Sequence, residues 1–164
     1  MSKIVVRGPS IDAITAEITA EIRHQLASRT YRASNELRNS ALIVLRGQRN
    51  GRRYKVPGTY RKQVDKTDGK VKRGRYYTAS APGEPPAVRT GTFRNSWQID
   101  PRYSDAFGVY WARIASDATT DNGRYNLGEI LEKGTSRMAP RPHHDRILQH
   151  AEKKIVKIYE EPYL

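Results

Sequence analysis

The 164-residue chain contains no cysteine. Disulfides and thiolate-ligated metals are thereby excluded, and the absence fits a reducing compartment such as a bacterial cytoplasm. Hydrophobic residues are scarce as well, at 37%, against about 45–50% in ordinary domains with glycine counted. Nowhere do roughly 18 apolar residues follow one another, so no membrane-spanning helix and no membrane partner are expected. The opening MSKIVVRGPS lacks the apolar run of a signal peptide. Two Phe and two Trp leave the aromatic content to ten Tyr. Tyrosine suits half-covered positions with a wet hydroxyl, which points to order completed by neighbouring subunits.

Recognisable catalytic chemistry is also missing. Thr90-Gly91-Thr92 lacks the glycine-rich frame and following Lys of a phosphate loop. Glu129 and Glu132 stand one helical turn apart, a spacing typical of a solvated face; an acid–base pair needs a pocket to shift its pKa values. His143, His144 and His150 lie close in sequence but lack a third ligand at metal spacing. They read as surface or subunit-contact histidines. Nothing resembles a helix-turn-helix, an RNA-recognition sheet or a zinc finger. The expectation is a protein that is not an enzyme and carries no cofactor or metal.

What the chain does have is positive charge. Thirty Lys and Arg stand against 17 Asp and Glu, a net +13. The surplus is concentrated: residues 48–79 hold eleven basic and two acidic side chains. Such a segment seeks polyanions or an acidic protein surface. Arg52, Arg53, Lys55, Lys70, Lys72, Arg73 and Arg75 are the candidate contacts to DNA or to an acidic partner. Tyr54, Tyr60, Tyr76 and Tyr77 are placed to add stacking. A solvated or subunit-facing hairpin is an equally good reading, because charge alone gives no base readout.

The chain reads as one α+β domain over 1–164. Residues 10–46 form a long helix, with Ile11, Ile14, Ile18, Ile22 and Leu26 on one stripe. Ala33, Leu37, Ala41 and Leu45 continue that stripe at four-residue steps. Ser10 is the N-cap, Asp12 and Glu17 favour the N-terminal dipole end, and Gly47 stops the helix. Such length suits a bend near 28–30 or packing against another subunit. Residues 48–80 form an extended basic β-hairpin, with strands at 52–56 and 75–80. Pro57-Gly58 and Asp68-Gly69 supply its turn signals. Residues 81–91, APGEPPAVRTG, are too rich in proline and glycine for a helix or a central strand and form an extended connector. Residues 92–160 supply a small antiparallel sheet and the last helix. Within them, 92–100 give a turn and a strand, 107–115 a strand and 117–125 a polar loop. A short helix at 126–133 is stopped by Gly134, and Pro140 and Pro142 frame a rigid turn. The final helix covers 145–159, with Ile147, Leu148, Ala151, Ile155 and Ile158 on its apolar side. The small sheet is packed by the first and last helices.

Two segments resemble the signatures of the phage tail-component family, which supplies tail-completion or head–tail joining proteins in long-tailed bacteriophages. The first is YTASAPGEPPAVRTGTFRNSW, from Tyr77 to Trp97. It has the Ala-Ser-Ala-Pro-Gly-like run at 79–83, the proline pair Pro85 and Pro86, Thr90-Gly91, then Phe93, Arg94 and Ser96. The second is LGEILEKGTSRMAPRPHHDRI, from Leu127 to Ile147. It has Glu132, Gly134-Thr135-Ser136, Arg137, Met138 and Arg141-Pro142 before a last helix. The family usually places an aromatic after Arg-Pro, where His143 and His144 stand here.

The resemblance implies a structural virion protein of the neck, at the tail–head junction, made in the bacterial host cytoplasm. It implies a homo-oligomeric ring, a hexamer, bound to connector proteins and to the tail tube or tail terminator, with genomic DNA passing through the lumen. The matching positions Arg89, Thr90, Gly91, Arg94, Glu132, Gly134, Thr135, Arg137 and Arg141 are then the expected subunit or partner contacts. Gly91 and Gly134 suit sharp turns, and Thr90, Thr135 and Ser136 suit capping there. Arg141 on its stiff backbone suits pairing with a carboxylate, such as Glu132. The alternative is a non-sequence-specific nucleic-acid-binding protein that uses residues 49–75.

Overall fold

The computed structural model describes residues 11–56, 63, 64, 67, 69, 71, 72, 75–104, 108–120 and 123–163, with the backbone alone for 11–13, 63, 64, 71, 72 and 104. Ser10, Pro57, Gly58 and Asp68 lie outside the described residues. The fold is α+β: a long first helix, small antiparallel ladders and a last helix packed on the first. No described helix is long and apolar enough to cross a membrane.

The first helix, α1, runs unbroken over Ile11–Arg46. No Gly or Pro interrupts it, so nothing forces a kink at 28–30. Its two halves behave differently. Ala33, Ala41 and Leu45 are at most 1% exposed, whereas every residue from 14 to 21 is exposed. Ile14 and Ile18, expected on a packed stripe, are each 42% exposed.

The last helix, α4 (His144–Glu160), lies antiparallel to α1. Three polar contacts fix that direction: Arg29 reaches Tyr159 O (3.3 Å), Lys154 Nζ reaches Glu36 (3.0 Å), and His150 Nδ1 meets Ser40 Oγ (3.0 Å). Between the helices Ala41, Leu45 and Ile147 join Trp97 in one core, flanked by Val44, Phe93 and Ile114. The small side chains let the helix axes approach closely. Leu148, assigned to the apolar side of α4, is 57% exposed.

The sheet is divided into two-stranded ladders. β1 (Arg53–Lys55) pairs with β4 (Tyr76–Thr78), with Tyr54 opposite Tyr77. Inside this hairpin β2 (Gln63–Val64) pairs with β3 (Val71–Lys72). The hairpin base is tight: Gly51 N donates to Ala79 O (2.9 Å), and a Cβ on Gly51 would lie 2.5 Å from that oxygen.

β5 (Trp97–Ile99) pairs with β8 (Ile114–Ser116), and β6 (Arg102–Ser104) with β7 (Val109–Trp111). Both ladders keep one register, and Asp100 N donates to Arg113 O between them (2.9 Å). They are one long hairpin, interrupted where Pro101 has no N–H to give. This is why the strand expected over 107–115 appears as two short pieces. The turn expected from residue 92 is a one-turn helix, α2 (Thr92–Asn95), whose N-cap Gly91 has φ +91°. The expected polar loop at 117–125 contains β9 (Thr119–Thr120), paired with β10 (Tyr125–Asn126). Helix α3 (Leu127–Lys133) follows, capped by the Asn126 side chain, which accepts from Glu129 N. Gly134 ends it at φ +75°, where a Cβ would meet Met138 O at 2.6 Å. Only glycine fits both that dihedral and that approach.

Candidate subunit-contact groove

The proline-rich connector is held as a rigid strap. Arg49 Nε donates to Pro85 O (2.6 Å), and its Nη2 donates to Pro86 O (3.1 Å) and to Val44 O at the end of α1 (2.8 Å). Burial lowers the Arg49 pKa, against the attraction of Glu84. Glu84 accepts from Asn50 N, Asn50 Nδ2 and Ala81 N at 2.7–3.1 Å. Those N–H groups hold its carboxyl below the usual range. Proline leaves these carbonyls without strand partners, and the guanidinium supplies the missing donors. Arg49 therefore serves the fold and is not a free cation of the basic segment.

The strap forms one wall of a groove of about 470 Å³. Leu45 from α1, Phe93 from α2 and Leu127 and Leu131 from α3 give it an apolar floor. Of the residues expected as contacts, Arg89, Thr90, Gly91, Arg94 and Arg141 all line it. The two motif segments, far apart in sequence, thus meet at one place. Glu132, Gly134, Thr135 and Arg137 do not line the groove. Thr135 Oγ1 accepts from Arg137 N (3.2 Å), and Thr135 and Met138 exchange backbone hydrogen bonds, so this group shapes the turn behind it. Thr90 Oγ1 accepts from Thr92 N (3.4 Å), as expected of a turn residue.

The expected pairing of Arg141 with Glu132 gives way to another. Glu132 Oε2 accepts from His143 N (2.9 Å) and His144 N (3.4 Å), the first amides of α4. A carboxylate at that end meets unpaired N–H groups and the positive end of the helix dipole. His143 Nδ1 also lies 2.7 Å from Glu132 Oε2 and 3.0 Å from Arg141 O. Both neighbours are acceptors, so the proton belongs on Nδ1. Arg141 Nη1 is buried without a hydrogen-bond partner.

His143 itself is fully buried, a correction to its reading as a surface or subunit-contact residue. Its ring stands edge-on to Phe93 (5.4 Å) and Trp97 (5.9 Å). It occupies the place where the resembling motif carries an aromatic. Burial lowers its pKa, outweighing the pull of Arg141 O and Glu132. Ligand atoms of Glu132, His143 and His144 lie within 4.8 Å of one another. The same Glu132 oxygen already holds two amides and Nδ1–H, so the cluster works as a helix cap.

A neutral buried imidazole makes stability depend on pH. The unfolded chain takes up a proton below about pH 6.5, while the folded ring resists it. Stability is therefore full above that value and falls as pH drops through it, by at most about 1.4 kcal/mol per pH unit for one site. Urea unfolding at pH 7.5 and 5.5 measures the loss. His143→Phe, which keeps a ring in the slot, is expected to flatten it; an unchanged slope would place the titration elsewhere.

The described basic side chains of the β1–β4 ladder are displayed to solvent. Arg52, Arg53 and Lys55 are exposed. Tyr54 and Tyr77 stack at 5.9 Å, with Arg52 5.6 Å from the Tyr54 ring. On the other face Arg53 and Lys55 flank Tyr76, at 4.7 and 5.9 Å. Arg75 is exposed at the far end of this ladder, where its carbonyl accepts from Val56 N (2.8 Å). The Lys72 backbone lies in β3; Lys70 and Arg73 fall outside the described residues.

Sequence reading missed two residues that organise the site, Arg49 and His143. Arg49 carries no local signal, since Pro85, whose carbonyl it holds, lies 36 residues downstream; the signal at His143 is a histidine directly after Arg141-Pro142. Comparison with protein-family models, curated proteins and solved structures finds no match to this chain.

Proposed function

We propose that this chain is a structural protein of a tailed-phage virion, a ring component that completes the tail and joins it to the head. The observation that supports this reading is the convergence of the two motif segments on one groove. Thr90, Gly91 and Arg94 come from the first, Leu127, Leu131 and Arg141 from the second. Motifs that served local backbone geometry alone would have no need to share a surface. In this reading the ring, expected as a hexamer, meets connector proteins on one side and the tail tube or terminator on the other. The basic hairpin faces DNA in the lumen or an acidic partner. No chemistry is assigned; the function is positional.

Electron microscopy of particles assembled without this gene tests the reading. Separate filled heads and finished tails are the expected result. Normal, joined, infectious particles would reject it.

The exposed Arg and Tyr ladder of β1 and β4 favours a second reading, non-specific nucleic-acid binding. Charge reversal at Arg52, Arg53 and Lys55 separates the two. Loss of salt-sensitive DNA affinity with normal particle assembly supports the second reading; unjoined heads and tails support the first.

A further inference from the structure

We infer that the groove receives the N-terminal half of α1 from a second copy of this chain, so that copies join head to tail. The inference rests on the ring reading for its biological setting, but its parts are physical. The occupant must be apolar on one face and acidic beside it. The groove has a floor of Leu45, Phe93 and Leu131 and is bordered by Arg89, Arg94 and Arg141. Arg89 is exposed and Arg94 half-buried at this border, so their guanidinium groups are within reach of an approaching carboxylate.

The same chain carries a matching segment. Residues 11–22 hold Asp12, Glu17 and Glu21 and no cation, within a molecule of net charge +13. Ile14 and Ile18 stand one turn apart, each 42% exposed. Glu17 and Glu21 are exposed and follow these isoleucines at i+3, which sets acid beside the apolar pair. This is the pattern of a helix laid in an apolar groove with charged borders.

The segment cannot reach the groove of its own copy. Leu45, which lines the groove, lies on the same unbroken helix, 27 residues beyond Ile18. At 1.5 Å rise per residue that is about 40 Å of rigid rod. The contact is therefore between copies, and it joins unlike surfaces. Such an interface closes into a ring or continues as a filament.

The absence of cysteine makes a direct test available. Ile18→Cys and Thr90→Cys place single thiols on the helix and on the groove, both at exposed positions. Mixed together and treated with a short bis-maleimide, they are expected to give a cross-linked dimer, at least about tenfold more than either yields with Leu148→Cys on α4. A chain carrying both thiols is expected to give a ladder of higher oligomers, since each copy links in two directions. Glu17→Lys with Glu21→Lys should weaken the cross-link about tenfold, and Arg89→Glu with Arg94→Glu should restore it. Rings visible by mass without the 18–90 cross-link would overturn this interface and leave the ring reading standing. A protein that stays monomeric and uncross-linked across the concentration range also overturns it; the particle micrographs then judge the ring reading separately.

Discussion

Trp97→Ala is expected to destabilise the isolated protein by about 3–5 kcal/mol, a large share of the roughly 5–15 kcal/mol that holds a domain together. Trp97 is 6% exposed and belongs to the core with Ala41, Leu45 and Ile147. It meets Phe93 edge-on at 5.8 Å, and Arg38 Nε donates to its carbonyl (2.9 Å), which ties β5 to α1. Truncation to alanine removes the largest side chain of this core and leaves a cavity among Ala41, Leu45 and Ile147. Trp97→Phe is expected to cost less than half as much. It keeps a ring in place and removes the indole N–H, which is buried without a partner. Urea denaturation measures both. Trp111, 51% exposed, is the control, and its alanine variant should stay within about 0.5 kcal/mol. Equal losses at 97 and 111 would reject the core as described.

Arg29→Ala is expected to cost about 2–3 kcal/mol and to release the end of the chain from α1. Arg29 is 3% exposed. It donates to the carbonyls of Tyr159, Glu161 and Pro162, and its guanidinium lies 3.7 Å from the Tyr163 ring centre. These oxygens end α4, where helical partners run out and a cation is favoured. Beside it Arg32 grips the Glu161 carboxylate, which lies below the usual range because of that contact. Arg29→Lys should recover little, since a single ammonium cannot span three carbonyls and stack on a ring. Amide exchange would report the release as faster exchange confined to the last turn of α4. Uniform acceleration would instead mean that Arg29 supports the whole core.

Much of the fold was legible because helices advertise themselves by period. The stripe through Ala33, Ala41 and Leu45 and the α4 positions Ile147 and Ala151 were readable as packing faces, and they are buried. Turn chemistry marked Gly91 and Gly134 correctly, each at positive φ. Periodicity does not report depth, however. Ile14 and Ile18 continue the stripe of α1 but are each 42% exposed. Nor does sequence announce partners far along the chain. Arg29 looks like one more solvated arginine until a carbonyl 130 residues downstream arrives. His143 was misread for a related reason: its ring is enclosed by Phe93 and Trp97 through loop packing that no spacing rule describes. The groove residues Arg89, Thr90, Gly91, Arg94 and Arg141 were legible only through the motifs that contain them, as single positions and not as one surface.

The unbroken run of α1 makes the helix a ruler with a fixed phase. Each residue added or removed between 22 and 29 would move Ile14 and Ile18 by about 1.5 Å along the axis and turn them about 100° around it. Length and facing are therefore one variable. A single-residue insertion there would leave the packed half intact while aiming the isoleucine pair a quarter-turn or more away. Seven residues, close to two full turns, would lengthen the rod by about 10 Å and nearly restore its aim. Related chains built on this plan should differ in helix length by such steps.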